Sequence, residues 1–303
     1  MPDGILTRNC FAPRRLAFVR GTHAKVERSP ALGAADQEPC ASAGGSLEPR
    51  TLMAEASAPG NPAVSIVVPV KDEADNIGPL VEEIAAAMSQ RWSFEVVYVN
   101  DGSSDTTEGE LTRLMAERRW LRQIRHARSC GQSAAVRTGV AAARAPIVVT
   151  LDGDGQNDPS FIPALVRSLE EASPRTGLIA GQRVGRRSTR SKQFQSRVAN
   201  RVRSAILRDG TRDTGCGLKA FRREVFLSLP YFDGLHRFLP ALVRRDGYEV
   251  GYVDVIDRPR RHGRSHYGMG NRLWIGILDL AGVWWLIRRR GRVPQISEVM
   301  RNG

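Results

Sequence analysis

Two aspartates one residue apart end an apolar stretch in Val148-Val149-Thr150-Leu151-Asp152-Gly153-Asp154-Gly155-Gln156. The β-branched run predicts a buried strand, and the glycine-interleaved turn after it pushes both carboxylates out together at the strand's carboxyl end. Open α/β sheets bind their ligands at that end. Two hard oxygen ligands with no Cys or His beside them suit Mg²⁺ or Mn²⁺, ions that share their coordination between carboxylates and a substrate's phosphates. The expected ligand is a cation-held nucleotide diphosphate. The competing reading is a polar turn in which an Asp caps the helix predicted from Pro159. A calcium loop of EF-hand type is excluded, because counting from Asp152 puts Asn157 where that loop needs Gly and Pro163 where it needs Glu.

Such a turn needs a sheet to hold it. Residues 64–70 form a β-branched run, and 73–88 follow with helical apolar spacing at Ile77, Leu80, Val81 and Ile84. The unit recurs: 94–99 before 104–118, 121–124 before 131–143, and 147–151 before 159–171. Four strand-helix alternations predict an α/β fold with a mostly parallel sheet and helices on both faces. Beyond them the pattern predicts a strand at 177–182, a basic helix at 193–207, a strand at 217–221, a helix at 235–245 and a strand at 248–255. The first turn, Pro69-Val70-Lys71-Asp72-Glu73-Ala74-Asp75-Asn76, is acidic and lacks Gly. The dinucleotide fingerprint and the Walker lysine loop are therefore absent, and phosphate must be held by a cation and side chains.

At 303 residues, 41% hydrophobic and 25% charged, the chain can bury one large domain with appendages. Residues 1–60 are rich in Ala, Gly, Ser, Pro and Arg without hydrophobic period and read as a disordered leader, with Met53 an alternative start. Cys10, Cys40, Cys130 and Cys216 show no paired spacing, and no apolar signal segment is evident, so a reducing cytosol is expected. The +13 formal charge is local: residues 183–212 carry ten Lys/Arg against Asp209, and 258–292 carry nine Arg against Asp279. Charge so confined marks surfaces for anionic partners. Nucleic acid is not expected, since no aromatic-interleaved platform, zinc finger or basic zipper is present. A membrane surface fits better. The second cluster brackets the apolar residues 273–287, which contain three Trp, are interrupted by Asp279 and are shorter than the roughly 20 residues needed to span a bilayer. A helix lying in the interface is expected, on the cytoplasmic face and peripheral; the alternative is a helix packed on the core.

Three strings in order add to this reading: Val67-Val68-Pro69 before the acidic turn, Val99-Asn100-Asp101-Gly102-Ser103-Ser104-Asp105 after the second strand, and Asp152-Gly153-Asp154-Gly155-Gln156 after the fourth. With them the chain resembles family 2 glycosyltransferases of the GT-A fold over residues 64–285. Asp213-Thr214-Gly215-Cys216-Gly217-Leu218-Lys219-Ala220-Phe221-Arg222 and Arg260-Arg261-His262-Gly263-Arg264-Ser265-His266 extend the likeness to the dolichyl-phosphate mannosyltransferase and bacterial polyprenyl-phosphate glycosyltransferase group. The resemblance implies a GT-A catalytic domain at 61–258, followed at 259–303 by a basic acceptor loop and the Trp-rich interfacial helix with its tail. It implies a nucleoside pocket of Pro69, Lys71, Glu73, Val99 and Asp101, with Asp101 accepting from the base or ribose. Asp152, Gly153 and Asp154 would meet the ribose and metal, with Gln156 completing the metal shell. Arg183, Arg260 and His266 would hold phosphates; Asp152, Asp154, Arg183 and Arg260 would carry catalysis. Arg197, Arg201, Lys219 and Arg264 would face the acceptor phosphate. Three residues depart from the family pattern: Lys71 stands at a usual aromatic, His266 at a usual Lys, and Cys216 at a usual Ser, where it reads as a packing residue. His262 and His266 have helical zinc spacing, which Gly263 and the missing further ligands argue against.

The activity implied is metal-dependent, inverting transfer of a sugar from a nucleotide-diphosphate sugar to a polyprenyl phosphate. A phosphate monoester has a second pKa near 6 and is mostly dianionic at neutral pH, so no general base is required. Two alternatives stay open: a soluble GT-A enzyme acting on a glycan or protein, and a non-catalytic membrane-associated nucleotide-sugar-binding module. Donor candidates are GDP-mannose, UDP-glucose, UDP-uronic acids and aminosugars.

Overall fold

A computed structural model describes residues 61–89, 91–184, 203–207, 209–259 and 270–289. The expected leader and the calls on Arg197, Arg201, Arg260, His262, Arg264 and His266 lie outside the described residues.

Among the described residues seven strands form one sheet: β1 (Val64–Val70), β2 (Phe94–Asn100), β3 (Leu121–Arg125), β4 (Ile147–Thr150), β5 (Thr176–Arg183), β6 (Lys219–Arg222) and β7 (Glu249–Val255), in the order β3-β2-β1-β4-β6-β5-β7. β1 pairs in parallel with β2 and β4, β2 with β3, and β5 with β7. β6 alone runs antiparallel, wedged between β4 and β5. The mostly parallel sheet is as expected; strand periodicity carries no direction, so the reversal of β6 is not readable from it.

Alternate residues of β1 enter opposite layers. Ile66 and Val68 pack with α1 (Ala74–Met88), α2 (Thr107–Glu117) and α4 (Ile162–Glu170), while Val67 packs with α3 (Gln132–Ala142) and α6 (Leu235–Arg245). Both faces of the strand are thus covered, which is why it reads as an unbroken apolar run. Each Val or Ile so buried contributes about 1.5–3 kcal/mol relative to exposure. The short α5 (Arg223–Ser228), missed in the sequence, sets Val225 and Phe226 into the second layer.

The last helix, α7 (Gly270–Arg288), is divided between core and surface. Val283 is buried and Leu280, Leu286 and Ile287 pack beside it, whereas Ile277, Leu278, Trp284 and Trp285 are exposed. Arg245 of α6 fastens it by donating to the Leu286 carbonyl at 2.9 Å. Among the described residues, no helix is long and apolar enough to cross a membrane.

Candidate active site

β1, β2 and β4 deliver their carboxyl ends to one edge, and three acidic turns meet there. Leu151 ends the buried run of β4 and the chain turns through Gly153, where a Cβ would strike Val70 Cγ1 at 2.3 Å. Only glycine lets the Asp152–Asp154 turn lie against β1. Asn157, itself buried, receives the Asp152 N–H at 2.9 Å, and the Gln156 carbonyl receives the Arg258 N–H at 2.8 Å. Asp158 caps the 3-10 turn Pro159–Phe161 by accepting from Ser160 N at 2.9 Å. That cap is made by Asp158, and not by Asp152 or Asp154. Asp154 does accept from Gln156 N at 3.1 Å, within its own turn.

Asp152 is half-buried and lines a cavity with Pro69, Gln132, Arg183, Lys219 and His236. Gln132, at the first turn of α3, donates Nε2–H to Asp152 Oδ1 at 2.7 Å. Burial, and next the charge of Asp154, push the Asp152 carboxyl up to about 6, against the opposing Lys219 and Arg183 charges. A carboxyl raised in this way by a neighbouring carboxylate offers a hard-oxygen site that a divalent cation would relieve.

Arg183 forks onto Asp213, with Nε–H to Oδ2 and Nη2–H to Oδ1, and its Nη1 reaches Asp257 Oδ2 at 3.0 Å. The guanidinium therefore presents a fixed positive wall whose fork is already used. Lys219, placed in the acceptor set by the sequence, is buried; its ammonium donates to the Cys216 carbonyl, and burial lowers its pKa. Cys216 is buried as a packing residue, its thiol pushed up by that burial.

The nucleoside set divides. Pro69 lines the cavity, Lys71 is exposed beside it in sequence, and Val99 is fully buried in the α3 layer, leaving only its backbone for a ligand. Glu73 accepts from Asn76 Nδ2 at 2.6 Å. Asp101 takes four hydrogen bonds from the loop before α3: His126 Nδ1–H at 2.7 Å and Cys130 N–H at 2.8 Å on Oδ1, Ser129 Oγ–H at 2.7 Å and Gly131 N–H at 2.9 Å on Oδ2. Burial alone would raise this carboxyl; the donors outweigh it and hold it below the usual range. Asp101, His126 and Cys130 can bring three ligand atoms within 4.8 Å. A carboxylate has about four acceptor sites, and all four are engaged by the loop, so the cluster is a loop anchor.

The sequence signature described as Glycosyl transferase family 2 matches residues 65–229, which hold all three acidic turns. The chain belongs to glycosyltransferase family 2. Its resemblance to that family is borne out, as is the α/β GT-A fold. The dodecaprenyl-phosphate galacturonate synthase of Rhizobium johnstonii is 35% identical over 236 residues, covering 76% of this chain and 68% of that protein. The undecaprenyl-phosphate 4-deoxy-4-formamido-L-arabinose transferase of Edwardsiella ictaluri is 32% identical over 209 residues, covering 68% of this chain and 63% of that protein. The chain spans only about two thirds of the length of these relatives. Glucosyl-3-phosphoglycerate synthase from Mycobacterium tuberculosis, solved with Mn²⁺, UDP and glucosyl-3-phosphoglycerate, superposes with a TM-score of 0.57 at 19% identity, over 77% of this chain and 81% of that one. A mannosyltransferase from Pyrobaculum calidifontis, solved with GDP-Man and Mn²⁺, superposes with a TM-score of 0.55 at 23% identity, over 77% and 66%.

In this family 2 glycosyltransferase the cavity also contains groups that the sequence reading missed. Ser133 accepts from Gly234 N–H at 3.0 Å, and its hydroxyl pairs with His236 Nδ1 at 2.7 Å, which fixes the ring in place. Burial, then the Lys219 and Arg237 charges, push the His236 pKa down to about 3, and the imidazole is neutral. Ser133 and His236 are 103 residues apart, and no local spacing signals their meeting. The hint available was Gly131-Gln132-Ser133, two polar side chains at the start of a helix after a glycine.

Proposed function

We propose that this glycosyltransferase moves a sugar from a nucleotide-diphosphate donor to a polyprenyl phosphate at a membrane surface, with inversion. The observation that carries the reading is Asp152, on a cavity that Arg183 also lines and under the charge of Asp154, in a chain whose relatives include polyprenyl-phosphate sugar transferases. Asp152 and Asp154, with Gln156, would hold Mg²⁺ or Mn²⁺, and the bound ion would supply positive charge to the donor's diphosphate. The site fits a hard cation because its donors are carboxylate and amide oxygens, and because Asp154 already raises Asp152.

An acceptor phosphate oxygen attacks the anomeric carbon, the bond from that carbon to the diphosphate oxygen breaks, and the electron pair leaves with the nucleoside diphosphate. No proton changes hands. The cavity supports such an acceptor: among the described residues the histidine that lines it, His236, is a neutral imidazole with a pKa of about 3, too weak a base to deprotonate a hydroxyl at neutral pH. Arg183, held by two aspartates, keeps its charge in place without reorganising as the leaving group departs. Asp101, through its loop, positions the N-terminus of α3 and hence Gln132 on Asp152.

The exposed Ile277, Leu278, Trp284 and Trp285 of α7 support a peripheral seat on the cytoplasmic leaflet, with Arg288 over the Trp284 ring at 3.9 Å and Arg289 over the Trp285 ring at 5.5 Å. In this reading residues 61–258 are the catalytic domain and 259–303 the membrane-facing part, with Arg197, Arg201 and Arg264 toward the acceptor and Arg260 and His266 toward the donor. The test is an Asp154→Asn variant assayed with a nucleotide-sugar panel and a short polyprenyl phosphate. It should fold normally and lose most metal-dependent transfer; near wild-type transfer would remove the metal assignment.

A further inference from the structure

Among the described residues three cations line the cavity, and two of them already have partners. Arg183 is paired with Asp213 and Asp257, and the Lys219 ammonium is bonded to the Cys216 carbonyl with Asp152 nearby. The third is Arg237, on the first turn of α6, half-buried and lining the same space as Asp152, Thr214 and Gly215. Among the described residues it has no ion pair and no side-chain hydrogen bond. Its charge is felt by Asp279, on α7: burial raises the Asp279 carboxyl, the Arg237 charge opposes that rise and the Asp233 charge adds to it. A guanidinium facing a cavity without a partner is suited to a bidentate oxyanion.

The direction from which that anion comes is set by α7. A Cβ on Gly234, the residue preceding α6, would lie 2.9 Å from Asp279 Oδ2, so α7 abuts the N-terminal end of α6. α7 exposes Ile277 and Leu278 immediately before Asp279, and Trp284 and Trp285 more than one turn after it. An isoprenoid chain lying on that apolar surface brings its phosphate toward the N-terminal end of α6 and the cavity beside it.

We propose that Arg237 binds the phosphate of the polyprenyl acceptor, whose lipid chain follows the exposed face of α7. This rests on the transfer reaction proposed above and adds the residue that positions its nucleophile. A donor with an acidic sugar offers Arg237 a carboxylate instead, and the experiment separates the two.

The test uses the full chain, farnesyl phosphate as soluble acceptor, and the donor on which the wild type is active. Arg237→Gln should raise the acceptor KM roughly 10- to 100-fold, the loss of one charged hydrogen-bonding partner, and leave the donor KM unchanged. Arg237→Lys, which keeps charge but loses the fork, should raise it by less; it decides the matter if the Gln variant does not fold. Asp279→Asn controls for a structural role. If Arg237 merely steadies α7, Asp279→Asn raises the acceptor KM as well, and the proposal falls. It falls also if the Arg237 variants leave the acceptor KM unchanged, or raise the donor KM instead. A wild type that transfers sugar to no polyprenyl phosphate overturns the proposed reaction itself, and Arg237's role with it; a wild type that transfers while the variants match it overturns only the role of Arg237.

Discussion

A Cβ at position 217 would fall 2.3 Å from Oδ2 of Asp152. The Gly217 carbonyl also accepts from Thr150 Oγ1 at 2.9 Å, so the 213–217 segment closes directly over the end of β4. Gly217→Ala must therefore rotate the Asp152 carboxylate while leaving the sheet intact. Misplacing a reacting group by about 1 Å can cost roughly 100-fold, so kcat/KM should fall by about that factor with little change in thermal midpoint. Wild-type kcat/KM in this variant would mean that Asp152 has no set position to lose.

Asp101 should matter for stability as well as for the donor. Its four donors include the Cys130 and Gly131 amides, which are left without an acceptor in Asp101→Ala. A destabilisation of about 2–4 kcal/mol in chemical unfolding is expected, together with a raised donor KM. Loss of stability with unchanged donor KM would make Asp101 a loop anchor alone.

The pH profile of unfolding should carry the signature of His236. In the unfolded chain this imidazole takes its proton near the ordinary 6.5, whereas the folded protein resists protonation down to about 3. Between those values the unfolded state binds the extra proton, so stability falls as pH falls, by roughly 2 kcal/mol from this residue at pH 5. His236→Gln should flatten that part of the curve. An identical slope in the variant would show that His236 titrates normally.

Much of this organisation was legible in the sequence because it is local. The runs at 64–70 and 94–99 announced β1 and β2, and the helix expected at 235–245 is α6 as observed. Asp152 and Asp154 stood out because two glycines and a preceding apolar run define a strand end. The antiparallel β6 was not legible, since its neighbours β4 and β5 precede it by dozens of residues and pairing direction leaves no trace in periodicity. The same holds for Gln132 on Asp152 and Ser133 on His236, contacts made by folding α3 against turns far along the chain. The Trp-rich segment fell between its two readings, one face in the core and one in solvent.

That division dictates how membrane binding is tested. Truncation before α7 would uncover the layer around Val283, so substitution is the cleaner probe. Trp284→Ser with Trp285→Ser removes two exposed rings and should weaken sedimentation with anionic vesicles at least roughly tenfold at unchanged thermal midpoint. Undiminished vesicle binding would place the membrane contact elsewhere.

The most direct measurement of the central claim is sugar transfer by the full chain to a short polyprenyl phosphate, with a panel of nucleotide sugars, with Mg²⁺ or Mn²⁺ and with a chelator. The account predicts a sugar-phosphate-polyprenyl product of inverted anomeric configuration, formed only with the metal and lost in Asp154→Asn. Transfer that proceeds equally with the chelator, or only to an acceptor lacking a phosphate, would contradict it.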